Sequence, residues 1–355
     1  MKVSTPGRIC LFGEHQDYLG LPVIAMAISR RVAIDGTKRN DNKIIINKPN
    51  LNQKEEFLLS NPLLYENERD YFRSAINVLR RRGYEFSNGF EITIDGNIPI
   101  NSGTSSSSAL LVSWINFLTK MADNPKEIST KEMGEIAYEA EVLEFGEPGG
   151  MMDHYSTAIG NIIYLESKPE IKVENLTPKL GSFVLGDSLE PKDTIGILKH
   201  VKFGMLEAIA KIKKHDPNFI FATTPAEKAS EYKNILTKDE YSLLLGNLSD
   251  RDILSEALAM FRGEATNHQR LGELLNIHQN SLRDAKRVST PKINKMIEAA
   301  IEAGALGGKI NGSGGGGCMF VYAPSKTEEV AEAIEKVGGK SFIITKDDGS
   351  RKEGL

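Results

Sequence analysis

Three clusters of side chains in this chain have the types and spacing to do chemistry. The first lies in the stretch 97–113, NIPINSGTSSSSALLVS, where Gly103 precedes Ser105, Ser106, Ser107 and Ser108. Four consecutive hydroxyls offer donors without a competing charge, and a glycine lets backbone N–H groups approach a ligand closely. Placed where a helix begins, with free N–H groups and the positive end of the dipole, such a cluster suits a phosphate or a nucleotide's phosphate tail. The plain alternative is a polar linker ending in an N-cap, which fits poorly with a strand that runs directly into a buried helix. The second cluster, Glu14, His15 and Asp17, sits between Gly13 and Gly20. Carboxylates and an imidazole this close together can share the hydrogen bonds of a polyhydroxylated ligand; a solvated turn is the alternative. The third is Glu141 and Glu144 near a helix end, where carboxylates oppose the dipole and are either exposed or kept for a ligand such as a metal. Asp153 follows in a glycine-rich, apolar setting, where an N-cap is the structural alternative. No HExxH or Cys/His spacing marks a zinc site, and no G-x-x-x-x-G-K-[ST] marks a P-loop.

The elements around these clusters follow from apolar spacing. A β-like run at 90–94 leads through Pro99 into the serine loop, and Ala109, Leu110, Val112, Trp114, Ile115 and Leu118 then repeat at helical spacing. Runs at 9–12, 23–28 and 32–34 read as strands around the acidic loop. Residues 40–70 are polar and irregular, a candidate flap with one strand at 43–47. A helix over 71–82 stops at Gly83, and Ser129-Thr130-Lys131-Glu132 resembles a capping box opening a second. Strands are expected at 161–166 and 182–186. Beyond about 190 the pattern turns helical, at 195–214, 224–236, 238–245, 253–263, 267–283 and 291–303. That switch sets the expected domain boundary, giving 1–187 and 188–355. The run Gly307 to Gly317 abuts a strand at 318–322, so its glycines serve close backbone approach. A helix at 327–337 and a strand at 341–344 close the chain.

Composition narrows the partners. With 355 residues, 40% hydrophobic, 26% charged and net charge −4, the chain has room for two domains or one large α/β unit, and its slight acidity argues against a nucleic-acid footprint. Arg80-Arg81-Arg82, the densest basic run, reads as the end of a solvated helix. No stretch approaches the roughly 20 apolar residues of a membrane span, and the opening octapeptide lacks the apolar core of a secretory signal. Cys10 and Cys318 lie in apolar runs and form no spaced pair, so buried free thiols and a cytoplasmic setting are expected.

Four stations in order carry a resemblance to the GHMP kinases. Pro6-Gly7-Arg8-Ile9-Cys10-Leu11-Phe12-Gly13-Glu14-His15-Gln16-Asp17-Tyr18 is similar to the galactokinase signature. The stretch from Pro99 to Ala109 resembles the family's phosphate loop, and Gly146-Glu147-Pro148-Gly149-Gly150-Met151-Met152-Asp153-His154 the segment holding its active-site aspartate. Lys309 to Cys318 resembles the C-terminal glycine motif. The resemblance implies an α+β, two-domain GHMP kinase fold: a strand-rich N-terminal domain, a helix-rich α+β C-terminal domain, and an active site in the cleft. It implies Asp153 and Arg8 as the catalytic pair, and Glu14, His15, Asp17 and Gly150 as sugar contacts. Gly103, Thr104, Ser105, Ser106, Ser107, Ser108, Gly312, Ser313 and Gly314 would hold ATP, and Ser106 with Glu141 a magnesium ion.

The implied activity is an ATP- and Mg2+-dependent sugar kinase acting on the anomeric (C1) hydroxyl of galactose or a related monosaccharide, with galacturonate, arabinose or an amino sugar as variants. Another small alcohol such as mevalonate, and a non-catalytic galactokinase-like sugar sensor, are the alternatives. Partners are then a small sugar and ATP, with neither nucleic acid nor membrane, and with monomer and homodimer both open. The chain departs from galactokinases in three places: Arg8 lies close to its start, His154 stands where glutamine is usual, and 187–194 lacks the sugar-stacking tyrosine segment.

Overall fold

The computed structural model describes the chain except Asn101, Pro148, residues 193–195, Leu198 and Leu355. Two long strands organise it. β1 (Lys2–Phe12) and β2 (Val23–Lys38) pair antiparallel along nearly their whole length, joining the runs that the sequence shows as separate short strands. The first half of β2 is continuously buried because both of its faces are covered: Ile24, Met26 and Ile28 enter one apolar cluster, Val23 and Ala25 another. β3 (Lys43–Lys48), β4 (Gln53–Leu58), β5 (Phe90–Gly96), β6 (Ile162–Glu166), β7 (Lys172–Leu176) and, late in the chain, β12 (Arg351–Lys352) complete an eight-stranded sheet. Its order is β12-β1-β2-β5-β3-β4, with β6 and β7 extending from the first half of β2; only β3 and β5 run parallel. A second, antiparallel sheet has the order β11-β8-β10-β9, formed by β8 (Phe183–Asp187), β9 (Gly307–Ile310), β10 (Cys318–Tyr322) and β11 (Lys340–Ile344).

α1 (Tyr71–Arg81), α2 (Ser106–Met121), α3 (Thr130–Tyr138) and α4 (Met152–Ile159) belong to the first sheet, α2 and α4 lying directly on β1 and β2. α5 (Gly204–His215) packs on α6 (Lys238–Arg262), and α6 and α7 (His268–Asn280) reach back to β1. α8 (Pro291–Glu302) and α9 (Thr327–Lys336) cover the second sheet. One core cluster takes Ile9, Leu11 and Phe12 from β1, Phe183 and Phe320 from the second sheet, and Leu254 and Leu274 from α6 and α7. The two sheets therefore share apolar interior, and the loops at the ends of their strands meet.

Several expectations change. Residues 238–245 and 253–263 form one helix, because the polar stretch between them is packed inside: Asn247 and Asp250 are fully buried. Residues 226–232 are a 3₁₀ segment, not part of an α-helix. The polar flap is a hairpin of β3 and β4. β8, which the expected boundary at 187 leaves with the first domain, pairs among the described residues with β10 and β11 of the second sheet, and β12 returns to the first sheet. Strand patterning reports burial, and it does not report which sheet a strand joins. The start of the helix expected at 195–214 lies outside the described residues. Both cysteines are buried free thiols. Among the described residues no helix is long and apolar enough to cross a membrane.

Candidate active site

α2 begins at Ser106, with Ser105 in a left-handed conformation (φ 59°) just before it, so the first free N–H groups of the helix and the hydroxyls of Ser105 to Ser108 come together. Gly103 and these four serines line a cavity of about 540 Å³. Gly103 is glycine of necessity. Its φ is +90°, and a Cβ there would stand 2.6 Å from the carbonyl oxygen of Asn311. The serine loop and the C-terminal glycine run thus meet backbone to backbone. The Asn311 side chain pins the junction, accepting from Cys10 N–H (2.9 Å) and donating to the Gly103 carbonyl (2.8 Å).

Arg8 joins that loop to Asp153. A register shift in β1 between Pro6 and Arg8 turns the buried side chain inward. Its Nε and Nη2 donate to Asp153 Oδ1 at 2.9 and 2.6 Å, its Nη1 donates to the Gly103 carbonyl, and its backbone N–H donates to Thr104 O at 3.1 Å. Asp153 stands in the first turn of α4 and is not the N-cap, which is Met151. Burial pushes the Asp153 pKa up, but the charge of Arg8, then that of His154, and the hydrogen bonds from Arg8 bring it below the ordinary carboxylate value. The carboxylate is therefore ionised.

Asp17 faces the same cavity and behaves oppositely. Burial first, then the nearby charge of Asp153, push its pKa up to about 6. Gly150 makes room for it, since any Cβ on Gly150 would overlap the Asp17 carboxylate. Glu14 also lines the cavity, but its Oε2 accepts from Lys309 Nζ (2.9 Å) and Gly312 N–H (3.0 Å). His15 has Tyr18 Oη at 2.9 Å on Nδ1 and the Ser313 carbonyl at 3.1 Å on Nε2. Burial, then the charge of Lys286, lower its pKa to about 4, so the ring is neutral. Of the acidic loop, Asp17 is the freest to meet a ligand, while Glu14 and His15 also fasten the loop to the second sheet's glycine run.

Glu141 points inward from a π turn, Glu139–Leu143, that continues α3. Its Oε2 accepts from Ser108 Oγ at 2.8 Å and lies 2.7 Å from His154 Nε2. The serine bonded to Glu141 is thus Ser108, whereas Ser106, expected as its metal partner, lines the same cavity without bonding it. Glu144 is taken up by Arg81 (2.5 Å) and the Tyr65 hydroxyl.

Two expected ATP residues lie off the cavity. The Thr104 hydroxyl turns inward to Ser102 Oγ (2.9 Å), and Gly314 packs on Val288, where a Cβ would stand 2.6 Å from a carbonyl oxygen. Gly312 and Ser313 do line it. Sequence reasoning missed Arg69 and Lys192, which also line it, and neither falls in a periodic pattern or glycine motif that would have marked it.

A second cavity of about 260 Å³ lies across the serine loop. Val32, Ile94, Ile98, Ile100 and Leu110 give it an apolar lining, Lys48, Asn50 and Asp95 supply polar groups, and Ser106 and Ser107 belong to both cavities.

Comparison with known proteins agrees with this arrangement. The profile of the GHMP kinases N terminal domain matches residues 70–161, that of the GHMP kinases C terminal matches residues 255–340, and the galactokinase galactose-binding signature matches residues 2–37. A mevalonate kinase of Thermococcus gammatolerans is 30% identical over 361 residues, covering 99% of this chain and 96% of that protein. The chain belongs to the GHMP kinases. A galactokinase of Mannheimia succiniciproducens is 26% identical over 356 residues, covering 94% of this GHMP kinase and 88% of that protein. The fold is that of the Lactococcus lactis galactokinase crystallised with galactose, with a TM-score of 0.85 at 23% identity over 99% of this chain and 95% of that one. The two-domain α+β GHMP fold expected from the four stations is therefore present. Like its relatives, this kinase is an ATP-dependent phosphotransferase with an alcohol as acceptor.

Proposed function

We propose that this GHMP kinase phosphorylates the anomeric hydroxyl of galactose or a related monosaccharide. The observation that carries the reading is the convergence of Asp17 and Glu14, from the segment matched by the galactose-binding signature, on the cavity that holds the Arg8–Asp153 pair. Two carboxylates beside a glycine gap suit the several hydroxyls of a sugar ring. Asp153, ionised and fixed by Arg8, accepts the hydrogen bond of the attacking hydroxyl and orients it. The serine loop supplies N–H and O–H donors for the triphosphate. Glu141 and Ser106 are hard oxygen donors lining the same cavity, a set that suits magnesium, which is usually held by one or two carboxylates, phosphates and water. When bound there, magnesium would offset charge on the phosphates. The 30% identity to a mevalonate kinase favours a second reading, in which the acceptor is a different small alcohol such as a sugar acid or mevalonate.

The test is ATP consumption with magnesium against galactose, other neutral sugars, uronic acids and mevalonate. Turnover with galactose or another neutral sugar is the expected result. Turnover with mevalonate alone moves the acceptor to the second reading, and nucleotide binding without turnover of any alcohol would favour a sugar sensor.

The second cavity takes the adenine base. A nucleotide whose phosphates lie in the serine loop can place a flat apolar ring there, because Ser106 and Ser107 border both spaces. Leu110→Phe, which fills this space, is expected to raise KM for ATP about tenfold, roughly 1.4 kcal/mol, while the acceptor KM stays within about twofold. Steady-state kinetics with each substrate varied decides it, and an effect confined to the acceptor would place the base elsewhere.

A further inference from the structure

Lys192 is the one lysine among the described residues that line the main cavity. It stands on the loop after β8, and the glycine run before β10 holds that loop in place. Ser188 N–H donates to Gly317 O (2.9 Å), Gly317 N–H donates to Glu190 O (3.1 Å), and Thr290 Oγ1 donates to Glu190 Oε2 (2.6 Å). The glycines permit this contact. A Cβ on Gly316 would overlap the Pro191 carbonyl, and one on Gly317 would stand 2.6 Å from Ser102 O and 3.0 Å from Lys192 Cδ. The glycine run therefore does more than approach a phosphate: it seats the loop that carries a cation. The Lys192 stem and the Ser102 carbonyl both border Gly317, and the Lys192 ammonium lies in the field of Arg8, Asp153 and Glu14. Burial, then the charge of Arg8, hold its pKa below the ordinary lysine value. No ion pair engages it among the described residues. A partly dehydrated cation of this kind, with carboxylates near it but no direct ion pair among the described residues, is suited to meet an incoming anion.

We propose that Lys192 is a catalytic residue of the phosphoryl transfer, its ammonium contacting the γ-phosphoryl oxygens as the group passes from ATP to the hydroxyl beside Asp153. In that step the bond from the γ-phosphorus to the bridging oxygen breaks, and its electron pair leaves with ADP. The acceptor oxygen bonds to phosphorus and releases its proton to Asp153 or to water. Lys192 keeps its own proton and offsets charge on the transferring group. Arg8 lines the same cavity, but three of its N–H groups already go to Asp153 and the Gly103 carbonyl. The inference rests on the phosphotransfer itself and holds for any alcohol acceptor. The rival role is capture of a carboxylate on an acidic acceptor.

The experiment compares the unmodified enzyme with Lys192→Gln, Lys192→Met and Lys192→Arg, using the alcohol that the unmodified enzyme turns over. Steady-state kinetics is combined with calorimetric titration of ATP, of the acceptor, and of ADP with aluminium fluoride and magnesium in the presence of acceptor, a mimic of the transferring group. Lys192→Gln is expected to lower kcat by about 10²–10³-fold and to weaken the fluoride complex by a similar factor. ATP and acceptor affinities should stay within about threefold, and Lys192→Arg should recover part of the loss. A raised acceptor KM at retained kcat, or unchanged affinity for the fluoride complex, would overturn the proposal. If Lys192→Gln loses ATP binding, Lys192→Met gives the reading, and unfolding of both would make the residue structural and overturn it as well. An enzyme that turns over no alcohol at all fails before any variant is compared, so the two failures are distinguishable.

Discussion

Asp153→Asn is expected to lower kcat by about 10³-fold while leaving ATP affinity within about threefold. The substitution keeps the shape and one hydrogen-bond acceptor for Arg8 but removes the charge. That charge sits in the first turn of α4 and 2.6 Å from the Arg8 guanidinium, and both features favour the ionised form. A carboxylate whose pKa is pulled below the ordinary value is a weak proton acceptor at neutral pH, so in the proposed reaction its main contribution would be to orient the hydroxyl and stabilise charge around it. Loss of the charge therefore falls on kcat. The fold should survive, since Arg8 still donates to the Gly103 carbonyl and to the asparagine oxygen, although a buried guanidinium with less compensation costs some stability. Rapid-quench measurement of the phosphoryl step, with nucleotide titration as the control, checks it. Retention of full activity would remove Asp153 from the reaction.

The site was legible where its residues are local, and illegible where it depends on contacts across the chain. Gly103 and the serines could be read because a strand, a glycine and an apolar helix adjoin within twenty residues. Asp153 drew notice as a lone carboxylate in a glycine-rich, apolar setting, and Glu141 as a carboxylate near a helix end, where it opposes the dipole. What the local pattern could not convey is the partner. Glu14 meets Lys309, 295 residues away, and that pairing makes part of the acidic loop a fastening as well as a ligand surface. Ser106 and Ser108 are alike in sequence, and the direction of the helix, with Glu141 coming in from a π turn, selects Ser108 as its hydrogen-bond partner. Lys192 sits in an aperiodic loop whose position is set by Gly316 and Gly317, more than 120 residues further on. The fold shows the same division. β4 and β7 are polar strands with few buried positions, so alternation gave no signal, whereas Ile44, Ile45 and Ile46 in β3 did. Asn247 and Asp250 read as a break between two helices because sequence carries no sign that α6 buries them.

Asp17→Asn is expected to abolish efficient use of a sugar acceptor and, at the same time, to stabilise the folded protein at pH 8. Both effects come from one environment. Asp17 is partly buried, lies near the ionised Asp153 and shares none of the Arg8 pairing, so its pKa is about 6 against an ordinary 3.8. The neutral form is thus favoured by the fold. A raised carboxylate pKa gives stability that is fully present below pH 3.8 and is lost as pH rises through about 6. At pH 8 the native state therefore holds an unwelcome charge, and asparagine removes it while still accepting the Tyr18 N–H that Asp17 Oδ1 accepts at 2.9 Å. Two pKa steps correspond to about 3 kcal/mol, and partial exposure trims the gain to about 1–2 kcal/mol. Chemical denaturation of both proteins at pH 8 and pH 4 checks the sign: the difference should be present at the first and nearly absent at the second. The kinetic consequence runs the other way. The ionised carboxylate is the better acceptor for sugar hydroxyls, so kcat/KM for the sugar should rise with pH through about 6 in the native enzyme. In Asp17→Asn that inflection should vanish and kcat/KM fall by about 10²-fold, with KM for ATP little changed. Equal losses for sugar and ATP would count against Asp17 as a sugar contact. A stability gain without any loss of turnover would show that the strained carboxylate serves something other than the acceptor. Seen this way, the pair Asp17 and Asp153 divides one cavity between two acids, with Arg8 choosing which of them stays charged at every working pH.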